Sequence, residues 1–179
     1  MQCRTDLPQL TNIEAFFGRY FTFFAIGQFT ALITVLGNLF YIGIQCYNPF
    51  EFWLAAAIAS MLFTMLNYGL VFALGNIGEA IAIIILVIQV AGSGGTYPLE
   101  MLPKFFQNLY NIMPFKYAMS AMRETIAGSY DHYYLKCILV MLLMTLLLIP
   151  ASLLLSVAFK RLRKYFEDSK AKTHLMHNN

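Results

Sequence analysis

From Tyr20 to Phe50 the chain carries no Asp, Glu, Lys or Arg, and the same is true from Trp53 to Asn76. Two further apolar runs come later, Ala80 to Ala91 and Leu135 to Phe159, the second with Lys136 at its very start. Few structures accept such runs. About 20 helical residues cross the hydrocarbon of a bilayer, and a backbone in lipid must satisfy its own hydrogen bonds. Composition agrees: 59% of the residues are hydrophobic and 12% charged, against roughly 25% charged in a soluble domain. The expected fold is an all-α integral membrane protein with four transmembrane helices, near 21–44, 53–75, 77–93 and 135–159. Gln45-Cys46-Tyr47-Asn48-Pro49 turns the first into the second, and Gly75-Asn76-Ile77-Gly78-Glu79 the second into the third. Pro150 falls inside the fourth and predicts a kink there.

Between the third and fourth runs lies a segment of different character, 96–128. Gly92, Gly94 and Gly95 let a helix stop and turn. Pro98, Pro103 and Pro114 then divide the segment into short pieces. Pro103 can open a helix, and from it Phe105, Phe106, Leu109 and Met113 fall on one face. Pro114 ends that piece. In the next, Phe115, Met119, Met122 and Ile126 share one side, with Lys116, Ser120, Arg123 and Glu124 mostly on the other. These features predict two short amphipathic helices in a hairpin that lies on the membrane surface or dips into it. The aromatic stretch Ser129-Tyr130-Asp131-His132-Tyr133-Tyr134 reads as an interfacial rim.

Residues 1–19 read as an amphipathic lead-in and 161–179 as a basic polar tail, with the membrane domain, 20–160, between them. Thr11-Asn12-Ile13-Glu14 fits a capping box, and a short helix with Ile13, Phe16 and Phe17 on one side would lie in the interface; a plain juxtamembrane linker is the other reading. Four spans put both termini on one side, with eight Lys and Arg residues against four (Lys104, Lys116, Arg123 and Lys136) on the other. The excess of Lys and Arg places both termini in the cytoplasm and the hairpin outside. No signal peptide is read, because Met1 to Arg19 is mixed and the first apolar run is too long.

No charge sits in the middle of a span, so ion-coupled transport has no visible relay. Milder polar groups remain: Gln28, Thr34 and Asn38 on the first span, Ser60, Thr64 and Asn67 on the second, and Gln89 near the end of the third. They serve either as hydrogen bonds between helices or as the lining of a polar path. Enzyme chemistry is not expected. Ser93 has no histidine in a span to act as its base, and no Gly-x-x-x-x-Gly-Lys-Ser/Thr loop is present. Cys3, Cys46 and Cys137 are scattered and suggest neither a metal site nor a disulfide framework. No cofactor is expected, and the basic residues form no nucleic-acid stripe.

Three stretches resemble a known family. Gly94-Gly95-Thr96-Tyr97-Pro98, Leu102-Pro103-Lys104-Phe105-Phe106, and Met113-Pro114-Phe115-Lys116-Tyr117-Ala118 with Arg123-Glu124 are similar to the C-terminal membrane region of the YhgE/Pip (phage infection protein) family. That family lies within the ABC-2 type transporter permeases. The resemblance implies that these four spans are the last four of six, in a bacterial plasma membrane. It implies a coupling region at Thr11, Glu14, Phe16 and Phe17, gripped by a separate ABC ATPase subunit. It also implies an extracytoplasmic helix pair that includes Gly94, Gly95, Pro98, Pro103, Phe105, Phe106, Pro114, Tyr117 and Arg123. The family carries an earlier span, a large extracytoplasmic domain and a second span ahead of this region. The expectation is therefore a partial or split exporter subunit that pairs with itself or with a second chain supplying the missing spans. A membrane scaffold or surface receptor element, or a truncated remnant, is the alternative.

Overall fold

The computed structural model describes residues 12–92, 101, 103–110, 112–128 and 132–159. Among them are six α-helices and no strand: α1 (Asn12–Leu36), α2 (Pro49–Leu74), α3 (Asn76–Gly92), α4 (Lys104–Tyr110), α5 (Pro114–Ala127) and α6 (Tyr133–Ala158). The all-helical membrane fold expected from the sequence is the one found. Thr11, Gly94, Gly95, Pro98, the centre of the aromatic rim and the basic tail lie outside the described residues.

Local chemistry sets the helix ends. Helix α1 runs on into a π-helical stretch, Gly37–Ile42, and Gly43 closes it in the left-handed region at φ 73°. Its neighbour's amide (Ile44) donates back to the Asn38 carbonyl at 3.1 Å. Pro49 opens α2 after an extended Asn48, where a first-turn residue needs no N–H. Gly75, at φ 64°, ends α2 by donating to the Val71 carbonyl, and α3 starts at the next residue.

Helix α2 is the hub. The Gln28 amide donates to the Ala57 carbonyl at 3.1 Å, and the Tyr68 hydroxyl donates to the Phe16 carbonyl at 2.9 Å, so α1 runs antiparallel to α2. The Tyr134 hydroxyl donates to the Glu51 carbonyl at 2.8 Å, and Ser152 sits against Gly69, so α6 runs parallel to α2. Asn12 and Ala158 thus lie at the same end of the bundle. Packing depends on close approach. A Cβ on Gly27 would come within 2.9 Å of the Ser60 and Thr64 hydroxyls, and one on Gly69 within 2.9 Å of the Ser152 Cβ. Small residues serve this purpose where lipid removes any hydrophobic drive between helices.

Large apolar side chains cover the outside. Phe21, Phe29 and Ile33 of α1, Ile83, Ile84 and Val87 of α3, and Leu139, Leu146 and Leu154 of α6 are all exposed. In water such a surface would be an aggregation hazard; in a bilayer it is the lipid face. Three stretches are long and apolar enough to cross: Phe16–Ile42, Pro49–Leu74 and Tyr133–Ala158. Helix α3 is apolar over the 17 residues described, Asn76–Gly92, about 25 Å against about 39 Å for α2.

The details differ from the sequence reading in two places. The lead-in does not form a helix of its own, because residues from Asn12 onward are the first turns of α1. The second helix begins at Pro49 rather than near 53. Helix α6 carries Pro150 in its interior.

Candidate transport element at the end of the short helix

The hairpin returns to α3 at Gly92, the last residue described there. A Cβ on Gly92 would meet Phe106 of α4 at 3.0 Å and Met113, just before α5, at 3.1 Å. From that point α5 climbs antiparallel to α2. The Phe115 ring lies 5.9 Å from that of Phe63. Met122 packs on the cluster of Val35, Phe52 and Ala56. The Tyr47 amide donates to the Thr125 carbonyl at 3.1 Å. Phe63 is about 21 Å along α2 from Pro49 and about 17 Å from Leu74, at 1.5 Å per residue. The hairpin therefore reaches toward the middle of α2.

What seats α5 is its small face. Ala118, Ala121 and Thr125 are buried, and Ala121 packs among Ala55, Ala59, Leu62, Tyr134, Cys137, Ile138 and Met141. The apolar stripe expected from periodicity is only partly used, since Phe115 meets Phe63 while Ile126 is 41% exposed. Ala121→Leu should overpack this seam and lower stability by roughly 1–3 kcal/mol. Ile126→Ala should stay within about 0.5 kcal/mol. Thermal unfolding of the two variants in detergent checks the difference.

The hairpin carries a cation to this depth. Lys116, half-buried, holds its ammonium 4.4 Å from the centre of the Tyr110 ring and 5.5 Å from that of Tyr117. A cation–π contact is worth about 0.5–1 kcal/mol at exposed sites and up to about 2 kcal/mol where it is desolvated. Ser120 and Glu124 come after Lys116 at helical spacing. Tyr133 of α6 shares side-chain hydrogen bonds with Ser120 and Cys137. Cys137 lies within electrostatic reach of Lys116, Glu124 and Lys136. A polar seam thus rises between α5 and α6 from Lys116 toward the Tyr133 end. The sequence reading put Lys116 on the polar side of the hairpin and no charge within a span; Lys116 lies on α5, a helix too short to be a span.

The polar span residues divide. Gln28 bonds α1 to α2. Thr34 donates to the Thr30 carbonyl of its own helix. Thr64 lines the Gly27 crossing, Asn67 is exposed, and Asn38 lends its carbonyl to the π-helical closure. Gln89 is 3% exposed, and its Oε1 has no hydrogen-bond partner. It lies one turn before Gly92. At the other end of the bundle Phe16 is fully buried, its ring 5.0 Å from Tyr68 and 4.9 Å from Phe72. Phe17 is 45% exposed and Glu14 is exposed. Of the hairpin residues, Pro103 immediately precedes α4, Phe105 and Phe106 lie on it, Pro114 opens α5, Tyr117 touches Lys116, and Arg123 is exposed.

Residues 6–127 match the ABC-2 type transporter family. Over 160 residues the chain is 30% identical to the uncharacterized protein YhgE of Bacillus subtilis (strain 168), an alignment covering 89% of this chain and 21% of that protein. The chain spans about a fifth of the length of that relative. No solved structure matches it.

Proposed function

This chain belongs to the ABC-2 type transporter family, and we propose that it is a membrane permease component of an exporter whose ATP is hydrolysed by a separate subunit. The observation that carries the reading is the return of the chain to α3, where Gly92 packs against Phe106 of α4 and Met113 before α5. Transporter sites are built where short or discontinuous helices meet near the middle of the membrane domain, and a hairpin folded back on α3 beside α2 would supply such a place. The hairpin is the extracytoplasmic gate of this reading. The ends of α1 and α6 at Asn12 and Ala158 are its cytoplasmic side, where the excess of Lys and Arg lies. A second copy, or a chain bearing further spans, completes the path.

The ATPase contact is placed on Glu14 and Phe17, which are exposed on the first turns of α1. Phe16 supports that surface from beneath. Glu14→Gln with Phe17→Ala should lower ATP-driven export severalfold while leaving membrane insertion and thermal stability unchanged. Full coupling in this double variant would remove the coupling surface from α1.

A further inference from the structure

We propose that Lys116 and the Tyr110 ring, at the foot of the seam between α5 and α6, receive the headgroup of an anionic phospholipid inside the membrane. The inference rests on the permease reading and names the chemistry of what the hairpin meets. Lys116 is beside Phe115, whose ring touches Phe63 near the middle of α2. Nine residues of α5 separate Lys116 from Thr125, whose carbonyl meets the Tyr47 amide, so its backbone lies about 13 Å inside that end of the bundle. An ionisable group held at such depth marks a ligand or ion pathway more often than a structural contact.

The surroundings select the ligand. On the side of Gly92, Phe106, Met113, Phe115 and Phe63 are apolar. On the other side Ser120, Tyr133 and Glu124 are polar. A headgroup at the foot of that seam meets hydroxyls and an ammonium, with the Glu124 carboxylate about two helical turns along α5 from Lys116, while its acyl chains remain in contact with apolar side chains. A soluble anion would gain the first set and nothing from the second. Among the described residues, Glu124, Lys116 and Lys136 act on Cys137 in the seam, and Glu51 acts on Tyr134 at its rim end; the cation at its foot is Lys116. Lys116 has further interactions within the chain, and with three N–H donors an ammonium accommodates an added anion. Tyr110 covers one side of it at 4.4 Å and fixes its position.

The test uses the purified full chain in detergent with a mixture of phosphatidylglycerol and phosphatidylcholine, and reads retained lipid by native mass spectrometry. The wild type should retain phosphatidylglycerol over phosphatidylcholine by about tenfold or more, the size expected of a charge-assisted hydrogen bond. Lys116→Gln should abolish that preference. Lys116→Arg keeps the charge and should preserve it, as should Lys136→Gln near the rim. An unchanged preference in Lys116→Gln, or an equal loss in Lys136→Gln, overturns the proposal. If Lys116→Gln does not fold, preservation in Lys136→Gln together with loss in Tyr110→Ala still supports it, and preservation in Tyr110→Ala overturns it. Displacement of the lipid by millimolar inorganic phosphate overturns the lipid-borne source in favour of a free anion. Lipid retention needs no ATP, so its failure leaves the permease reading to its own tests.

Discussion

Gly78→Ala should unseat α3 and destabilise the protein by about 3 kcal/mol or more. A Cβ at Gly78 would lie 2.1 Å from the Leu70 carbonyl oxygen, 2.6 Å from its carbon and 3.0 Å from the Val71 nitrogen. All three atoms are backbone within α2, so no flexible side chain can move aside. Overpacking of this kind costs about 1–3 kcal/mol even where side chains yield. The connection gives no slack either, because a single residue, Gly75, joins α2 to α3. The effect should travel along α3. Its far end holds Gly92 against Phe106 and Met113, so tilting α3 away from α2 moves the seat of the hairpin. Gly18→Ala is the control. Nothing lies within 4 Å of a Cβ there, and alanine in an exposed helix gains up to about 1 kcal/mol over glycine. Thermal unfolding and protease resistance in detergent distinguish the two. Equal behaviour would mean that α3 does not pack on α2 through Gly78.

Phe16→Ala should cost about 3 kcal/mol, and Phe17→Ala less than about 0.5 kcal/mol. Neighbours in sequence, the two phenylalanines differ in surroundings. Phe16 is fully buried among Phe17, Tyr68 and Phe72. The Phe16 carbonyl also accepts the Tyr68 hydroxyl. Removing the ring leaves a cavity under a hydrogen-bonded turn, which neither α1 nor α2 can close without moving the other. For a chain of this size the loss corresponds to roughly 6–12 °C in Tm. The contrast has a functional consequence: a transport defect in Phe16→Ala reports a loosened α1, whereas one in Phe17→Ala with normal Tm reports the proposed coupling surface.

Much of this fold is legible in the sequence, because lipid leaves few options. The charge-free runs give α1, α2 and α6. Gly75-Asn76 gives the turn before α3, and Pro103 and Pro114 give the starts of α4 and α5. Helix faces are less legible. Periodicity pointed to Phe115, Met119, Met122 and Ile126 as the working face of α5, yet Ala118, Ala121 and Thr125 are what it buries. In a membrane an apolar side chain gains little by turning inward, since lipid is equally apolar, and fit between small residues decides instead. The same physics hid the difference between Phe16 and Phe17, which only the packing on Tyr68 and Phe72 reveals. Depth was hidden for another reason. Lys116 counts as a loop cation in any tally of spans, and only the contact of Phe115 with Phe63 carries it to the middle of α2.

The central claim is that this chain is the membrane half of an ATP-driven exporter. Its most direct test is gentle purification from the native membrane, with identification of the proteins that accompany the chain and measurement of their ATP hydrolysis. The account predicts a P-loop ATPase in fixed proportion, whose release by the Glu14→Gln, Phe17→Ala double variant leaves the membrane chain folded. A chain isolated repeatedly without any ATPase, or with surface proteins alone, would contradict it.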